Sequence, residues 1–292
     1  FGGISEKAQS QAKIFGNRLA KRARHLRRWP TRREISCYRL YDRDIPEVPL
    51  VVDRYEEYLH ISEYERPHDR DRAAHLDWLE VMMRTAAKTL EVDRQHVFFK
   101  QRQAQKGNRQ HPQISQDKYE LTVNEGGLEF LVNLSDYIDT GLFLDHRITR
   151  SMIREQAKGS KFLNLFGYTG CFSVYAAAGG AKTTTTVDLS GSHLDWARRN
   201  MELNGFGGPE HEFIRKDARA FLKDAAKDKR DRLGRWQAEA SDEHARTIRA
   251  VVEENTGTRC PGHSRRVRGE RVRGRVRGGE IVGIAGVSGN GQ

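Results

Sequence analysis

Residues 161–170 read KFLNLFGYTG, a run of buried-strand residues that ends in a glycine, an aromatic, a threonine and a second glycine. A short helix-compatible segment, CFSVYAAAGGA, follows at once. Gly167 and Gly170 let the backbone come close to a bound group, and the start of the next helix offers N–H groups that no earlier turn can use. The spacing is not the GxGxxG of a pyrophosphate loop, so a dinucleotide is not its natural guest. Two carboxylates then arrive where a nucleoside would need them. Asp188 ends the run TTTTVDLS, at the remove from which a strand-end acid takes ribose hydroxyls. Asp217, in RKDARAFL, follows the next apolar run, within reach of an adenine amino group. Each acid would serve equally as a helix N-cap, and that plain reading stands beside the other. Both at strand ends behind a glycine loop favour a nucleoside site.

The elements that must carry these residues follow from periodicity. DHRITRSMIREQAKG predicts a helix ending at Gly159, and then come strand Phe162–Phe166, helix Phe172–Ala178, strand Thr184–Asp188, helix Ser192–Leu203 and strand Glu212–Arg215. Such alternation makes a parallel, doubly wound sheet, whose ligands bind at the carboxyl ends of the strands. Ahead of it, strand-like runs lie at Cys37–Tyr41 and at Leu50–Val52 continuing to Leu59–Tyr64. A helical stripe of Leu76, Leu79, Met83, Ala86, Ala87 and Leu90 follows, with Asp69 or Asp71 as its cap. The strand HVFFKQRQ and a hairpin turning on Glu125-Gly126-Gly127 complete a small α+β unit. The expected organisation is a basic N-terminal helix (1–34), a strand-strand-helix-strand-strand subdomain that binds RNA or substrate (35–136), the sheet domain (137–222) and an atypical charged tail (223–292).

Composition bounds the function. The chain has 292 residues, 37% hydrophobic and 31% charged, with a net charge of +11. That charge is uneven: residues 1–34 hold ten Lys/Arg against Glu6 and Glu34, and residues 257–292 hold eight Arg against Glu270 and Glu280. The segment NRLAKRARHLRRWPTRR sets Leu19, Leu26 and Trp29 between cations and reads as a helix with one cationic face. Arg18, Lys21, Arg22, Arg24, Arg27 and Arg28 are its candidate phosphate contacts. A solvated helix that only keeps the chain soluble is the plainer alternative. Cys37, Cys171 and Cys260 lie far apart with no metal or disulfide spacing, which suits a reducing compartment and predicts no metal. No apolar run reaches the roughly 18 residues of a membrane span, so a cytoplasmic protein without membrane contact is expected.

The span from about Asn17 to Leu222 resembles a known family: the K domain of the bifunctional large-subunit ribosomal RNA methyltransferases K/L, a class I S-adenosylmethionine-dependent enzyme. The matching pieces are FGNRLAKRARHLRRW, CYRLYDRDIPEVPLVVDRY, YIDTGLFLDHR, FLNLFGYTGCFSVYAAAGGAKTTTTVDLS, DWARRNMELNG and FIRKDARAFL, in family order. The resemblance implies S-adenosylmethionine as cofactor, ribosomal RNA as partner and methylation of a guanine at N7. It also implies that Asn164, Phe166, Gly167, Tyr168, Thr169 and Gly170 surround the methionine part of the cofactor, that Asp188 binds its ribose and Asp217 its adenine. Phe143, Asp145 and Arg147 of GLFLDHR would close over it. His146 and Cys171 are given structural roles, because guanine N7 carries a free lone pair and needs no base.

The departures from the family are as informative. Enzymes of this class that act on base nitrogens carry an Asp-Pro-Pro or Asn-Pro-Pro strand end that clamps the target base, and no Pro-Pro occurs here. No catalytic residue is therefore assigned, and turnover is expected to be impaired. The fold class expected is α/β, an incomplete Rossmann-like methyltransferase sheet behind the small α+β subdomain, with one sheet edge left bare. Residues after about 222 read as foreign to it. RRVRGERVRGRVRGG is low-complexity, and GEIVGIAGVSGNGQ resembles the strand and truncated phosphate loop of an ABC-transporter ATPase, with Gln292 where a lysine belongs. A non-catalytic RNA-binding fragment is the alternative function, and an ATPase fragment a distant third.

Overall fold

The computed structural model describes residues 5–64, 70–102, 119–136, 139–227 and 280–284. The chain divides into two compact units, residues 1–140 and 141–292.

The first unit begins with α1 (Glu6–Leu26), capped by Ser5, whose side chain accepts from the Ala8 amide, and continues through the short α2 (Trp29–Arg33). Strands β1 (Cys37–Asp42), β2 (Leu50–Tyr55) and β3 (Tyr58–Tyr64) form an antiparallel run. Helix α3 (Arg72–Thr89) then crosses back so that β4 (Val97–Arg102) lies parallel to β3. The hairpin β5 (Glu120–Glu125) and β6 (Leu128–Asn133) closes the unit, turning on Gly126 and Gly127, both at positive φ as expected. Ala8, Ala12, Phe15 and Leu19 of α1 recur at three- and four-residue intervals and share one core with α3 and with Leu50, Val52, Leu59, Ile61 and Val97 of the sheet. The basic helix is thus part of this core. Phe15 and Leu19 are wholly buried, a gain of about 1.5–3 kcal/mol each.

Two expectations for this unit change. The run from Leu50 to Tyr64 is two strands, because Tyr55 pairs with Tyr58 across a turn in which Glu56 takes φ 53°. Neither glycine nor asparagine marks that turn, so the sequence carries no signal for it. The buried stripe of α3 is His75, Trp78, Leu79, Met82, Ala86 and Ala87, while Leu76 is 57% exposed. The stripe is rotated because the Trp78 indole N–H donates to Gln11 Oε1 on α1, 2.8 Å away, which turns that face inward. Asp71 caps α3, its side chain accepting from the Ala74 amide; Asp69 lies outside the described residues.

The second unit opens with a 3-10 turn (Leu144–His146) that leads into α4 (Arg147–Gln156). Then β7 (Lys161–Leu165), α5 (Cys171–Ala178), β8 (Thr183–Asp188), α6 (Gly191–Leu203), β9 (His211–Arg215), α7 (Ala218–Lys227) and β10 (Glu280–Ile284) follow. The sheet order is β10-β7-β8-β9, every pair parallel. Residues 162–165 of β7 are buried on both faces, as a parallel strand between helix layers must be. Phe162 packs with Ile153, Ala157, Phe172 and Ala176 on one side, and Leu163 and Leu165 with Val187 and Ala218 on the other.

The tail is where the expectation was most wrong. The edge of β7 is not bare: Glu280–Ile284 pairs along its whole length, from Lys161 to Leu165. An unpaired parallel edge next to a buried strand exposes a row of N–H and C=O groups, and the apolar EIVGI segment supplies them with partners. Residues 280–284 thus add a fourth strand to the sheet. The likeness of the same segment to an ATPase phosphate loop finds no support, and residues 285–292 lie outside the described residues.

Candidate functional site

The position of β7 decides the site. Chain order runs from β7 to β8 on one side of it, and β10 joins on the other, so the direction of crossover reverses at β7. The loop 166–170, at its carboxyl end, therefore sits where open α/β sheets leave a crevice. This loop is unusually contorted: Phe166, Tyr168 and Gly170 have φ of 56°, 47° and 72°. Left-handed backbone at two non-glycine residues is costly and persists only where the surroundings hold it.

Those surroundings are specific. The Gly167 amide donates to the Val187 carbonyl at 2.9 Å, and the Tyr168 amide donates to Asp188 Oδ2 at 2.9 Å. The Thr169 hydroxyl donates to the Gly141 carbonyl at 2.5 Å, and the Asn200 side-chain amide donates to the Thr169 carbonyl at 2.8 Å. Beneath the loop, Asn164 Nδ2 donates to Ser173 Oγ at 3.0 Å, and Ser173 and Thr186 hydroxyls lie 2.7 Å apart. Asn164 Oδ1 is buried and has no hydrogen-bond partner among the described residues. It is an acceptor in want of a donor.

Asp188 is the electrostatic centre. Oδ2 accepts from Tyr168 and Oδ1 from the Ser190 amide at 2.9 Å, and the His193 ring nitrogen Nδ1 stands 3.6 Å from Oδ1. Burial is the largest single influence and pushes its pKa up, yet His193 and the Ser190 and Tyr168 amides together hold it below the ordinary carboxylate value. A carboxylate has about four acceptor sites, so capacity for hydroxyl donors remains. Asp188 caps no helix; Ser190 caps α6. Asp217 does: its Oδ1 accepts from the Ala220 amide at 2.9 Å at the start of α7, and its side chain is exposed. It is still next to the site, since the amide of Lys216 donates to the Asp188 carbonyl at 2.9 Å.

Of the GLFLDHR residues, Phe143 comes to the loop, its ring 5.4 Å from that of Tyr168. Asp145 is exposed in the 3-10 turn and Arg147 half-buried at the start of α4. His146 lies among aromatic rings, 5.8 Å from Phe143 and 6.1 Å from Phe172. Several contributors escaped the sequence. Besides His193 and Asn200, Leu189, at 61% exposure, joins the expected Phe166, at 42%, in setting apolar side chains beside the strand-end carboxylate. A large apolar residue directly after Asp188 was the available signal for Leu189. Arg150 is the other. It is 1% exposed, donates from Nη1 to the Phe143 carbonyl at 2.8 Å, and lies 5.9 and 5.8 Å from the rings of Phe172 and Tyr175. Arg150→Met should therefore destabilise the chain by about 1.5–3 kcal/mol, the value of a buried bond to a charged donor, read from its urea unfolding midpoint.

The arrangement offers a half-buried carboxylate for hydroxyls, an orphan amide oxygen for a donor, and exposed apolar faces for a flat ring. The sequence model of the S-adenosylmethionine-dependent methyltransferase family matches residues 41–234. The chain belongs to that family. Its cofactor is S-adenosylmethionine. Among curated relatives, a ribosomal RNA large subunit methyltransferase K/L from Methylococcus capsulatus is 47% identical over 227 residues, 77% of this chain and 31% of that protein. The same-named protein of Aeromonas hydrophila is 44% identical over 214 residues, 73% of this chain and 30% of that one. This methyltransferase chain thus spans about a third of the length of the relatives it matches. Among solved structures, a methyltransferase complexed with SAH aligns at a TM-score of 0.60 and 22% identity, over 74% of this chain and 55% of that one. A SAM-dependent methyltransferase from Streptococcus mutans gives the same figures. Both have the Rossmann-like fold of the class. No helix of the described residues is long and apolar enough to cross a membrane, and no group of three His, Cys, Asp or Glu among them could hold a metal.

Proposed function

We propose that this chain is the cofactor-holding part of a cytoplasmic enzyme that methylates guanine N7 of large-subunit ribosomal RNA. The observation that carries the reading is the half-buried Asp188 carboxylate tied to the contorted loop through the Tyr168 amide; the relatives' names supply the RNA. The residues present fit the cofactor. Asn164 Oδ1 is an unpaired buried acceptor suited to an amino group, Asp188 keeps acceptor capacity for ribose hydroxyls, Leu189 offers apolar contact to the flat adenine, and Phe166 an exposed ring at the start of the loop. Gly167, Thr169 and Gly170 shape the loop around the methionine part, with Phe143 against Tyr168. Asp217 would meet the adenine with the oxygen that the cap leaves over, and Asp145 and Arg147 lie on the segment that follows Phe143.

When bound, S-adenosylmethionine supplies a methyl group made electrophilic by its sulfonium. The protein has little to add beyond placing the acceptor: a guanine N7 lone pair needs no proton removed, so alignment accounts for most of the catalysis. This chain has no Asp-Pro-Pro or Asn-Pro-Pro to clamp the base. Transfer is accordingly impaired while cofactor binding remains. RNA docks on α1, whose buried stripe turns the opposite face to water. Lys21 and Arg24 are exposed there and Arg27 and Arg28 just beyond its end, Arg22 is half-buried, and Arg18 is held by Asp44 at 2.6 Å.

Transfer of labelled methyl from S-adenosylmethionine to large-subunit RNA tests the reading, with Asp188→Ala as the blank. Slow incorporation above that blank is expected. Retained RNA binding with none would leave the second reading, a non-catalytic RNA-binding chain, which the exposed cations of α1 favour. Converting Lys21, Arg24 and Arg28 to Gln should lower the slope of log K against log salt by about 2 on single-stranded RNA, near 0.7 for each phosphate no longer neutralised.

A further inference from the structure

We propose that Tyr58, His96, Phe98 and Tyr119 form a stacking platform for unpaired bases of single-stranded RNA. The proposal rests on the RNA reading above for its ligand class, but its chemistry is separate from the cofactor site and from α1.

The four side chains come from three separated stretches and converge into one cluster. Tyr58 lies 4.5 Å from His96, 5.2 Å from Tyr119 and 6.1 Å from Phe98, and Phe98 lies 4.9 Å from Tyr119, all between ring centroids. They do not belong to the core. Strand alternation sends Leu59, Ile61 and Val97 into the helix-covered face, and the intervening Tyr58 and Phe98 to the opposite one. Tyr119 is 36% exposed and the other three are half-buried. The Tyr119 hydroxyl donates to that of Tyr58, so the rings are fixed relative to each other without sealing their faces.

Large aromatic surfaces left in contact with water on a sheet face mark a binding surface. Every base has a π-face, and sheet-borne aromatics that splay and stack bases are a recurring mode of single-strand recognition. The partner is a polyanion because the same unit exposes Lys21, Arg24, Arg27 and Arg28. The platform's basic member is the His96 ring, and Lys100, on the same strand face as Phe98, is buried. Glu57 sits beside Tyr58, close enough to act on its hydroxyl, so affinity there arises from stacking and not from phosphate neutralisation. That separates the platform from α1 in one measurement.

The test uses the full chain and two fluorescein-labelled oligonucleotides of about twelve residues, a length within single-strand site sizes. One is oligouridylate; the other is an abasic strand with the same phosphates. Anisotropy titrations across a salt series should show Tyr119→Ala and Phe98→Ala each weakening oligouridylate binding about tenfold, as expected when one base loses its stacking partner. Abasic binding and the salt slope should not change, and Tyr119→Phe, which keeps the ring, should bind as the parent does. Circular dichroism melts identify any variant that has lost the fold, and Tyr119→Ala, at an exposed position, is then the deciding one. Unchanged oligouridylate affinity, or an equal loss on the abasic strand, overturns the platform. So does a change in sedimentation without a change in RNA binding, which would mean that the rings seal a second copy of the chain. Ring-dependent binding in a chain that transfers no methyl group overturns the rRNA methylation reading alone; methyl transfer without ring dependence overturns the platform alone.

Discussion

Asp188→Ala should weaken binding of S-adenosylhomocysteine by about 100-fold, measured by calorimetric titration, since hydrogen bonds to a charged acceptor contribute about 1.5–3 kcal/mol each. The change removes the acceptor proposed for ligand hydroxyls and leaves two partly buried amides, those of Tyr168 and Ser190, without the oxygens to which they donate at 2.9 Å. Tyr168 then has less to hold it in its left-handed conformation, so the loop loosens as well. Asp188→Asn separates charge from shape. Because the folded pKa lies below the ordinary 3.8, the carboxylate contributes stability that is fully present above that pH and is lost as pH falls through the depressed value. Acid unfolding of the parent should therefore include a component below about pH 4 that is missing in Asp188→Asn. An Asn variant with the parent's acid limb would show that Asp188 is not ionised by the contacts named.

Gly167→Ala should cost about 2–4 kcal/mol of stability and abolish measurable cofactor binding, the range set by overpacking and backbone displacement. A Cβ on Gly167 would lie 2.3 Å from Thr186 Cγ2, far inside contact distance. Thr186 cannot turn away, because its hydroxyl is engaged with Ser173 at 2.7 Å and its backbone lies in the sheet between β7 and β9. A second substitution gives the check. Thr186→Ser removes Cγ2 but keeps the hydroxyl, so Gly167→Ala with Thr186→Ser should recover a good part of the loss, seen as a double-mutant coupling energy of at least about 1 kcal/mol. Additivity of the two changes would place the strain elsewhere in the loop.

Much of the second unit was legible because its signals are local. The strands and helices from Lys161 to Arg215 alternate in short segments of apolar or β-branched residues, and the glycine loop and Asp188 lie close together in sequence. The hairpin at Gly126-Gly127 was legible for the same reason, since both residues must take positive φ. The turn at Glu56 was not, because a left-handed glutamate carries no signature. Leu76 was misassigned and Trp78 left out of the stripe because two stripes of α3 could serve, and the bond to Gln11 on α1 chose between them.

The sequence by itself determined the fold class, the glycine loop after β7, the strand-end position of Asp188 and, through the family's motifs, the cofactor. These depend on residue type at short range. Tertiary structure alone decided which distant residues complete the site: Gly141 and Asn200 on Thr169, His193 on Asp188, Arg150 beneath Phe143. It also decided that Asp217 spends one oxygen on a helix cap, and that EIVGI, remote in sequence, closes the sheet beside β7. The reason is the same in each case. A hydrogen bond or a strand pairing between residues far apart in the chain leaves no periodicity behind, and only the requirement that buried polar groups find partners brings those residues together.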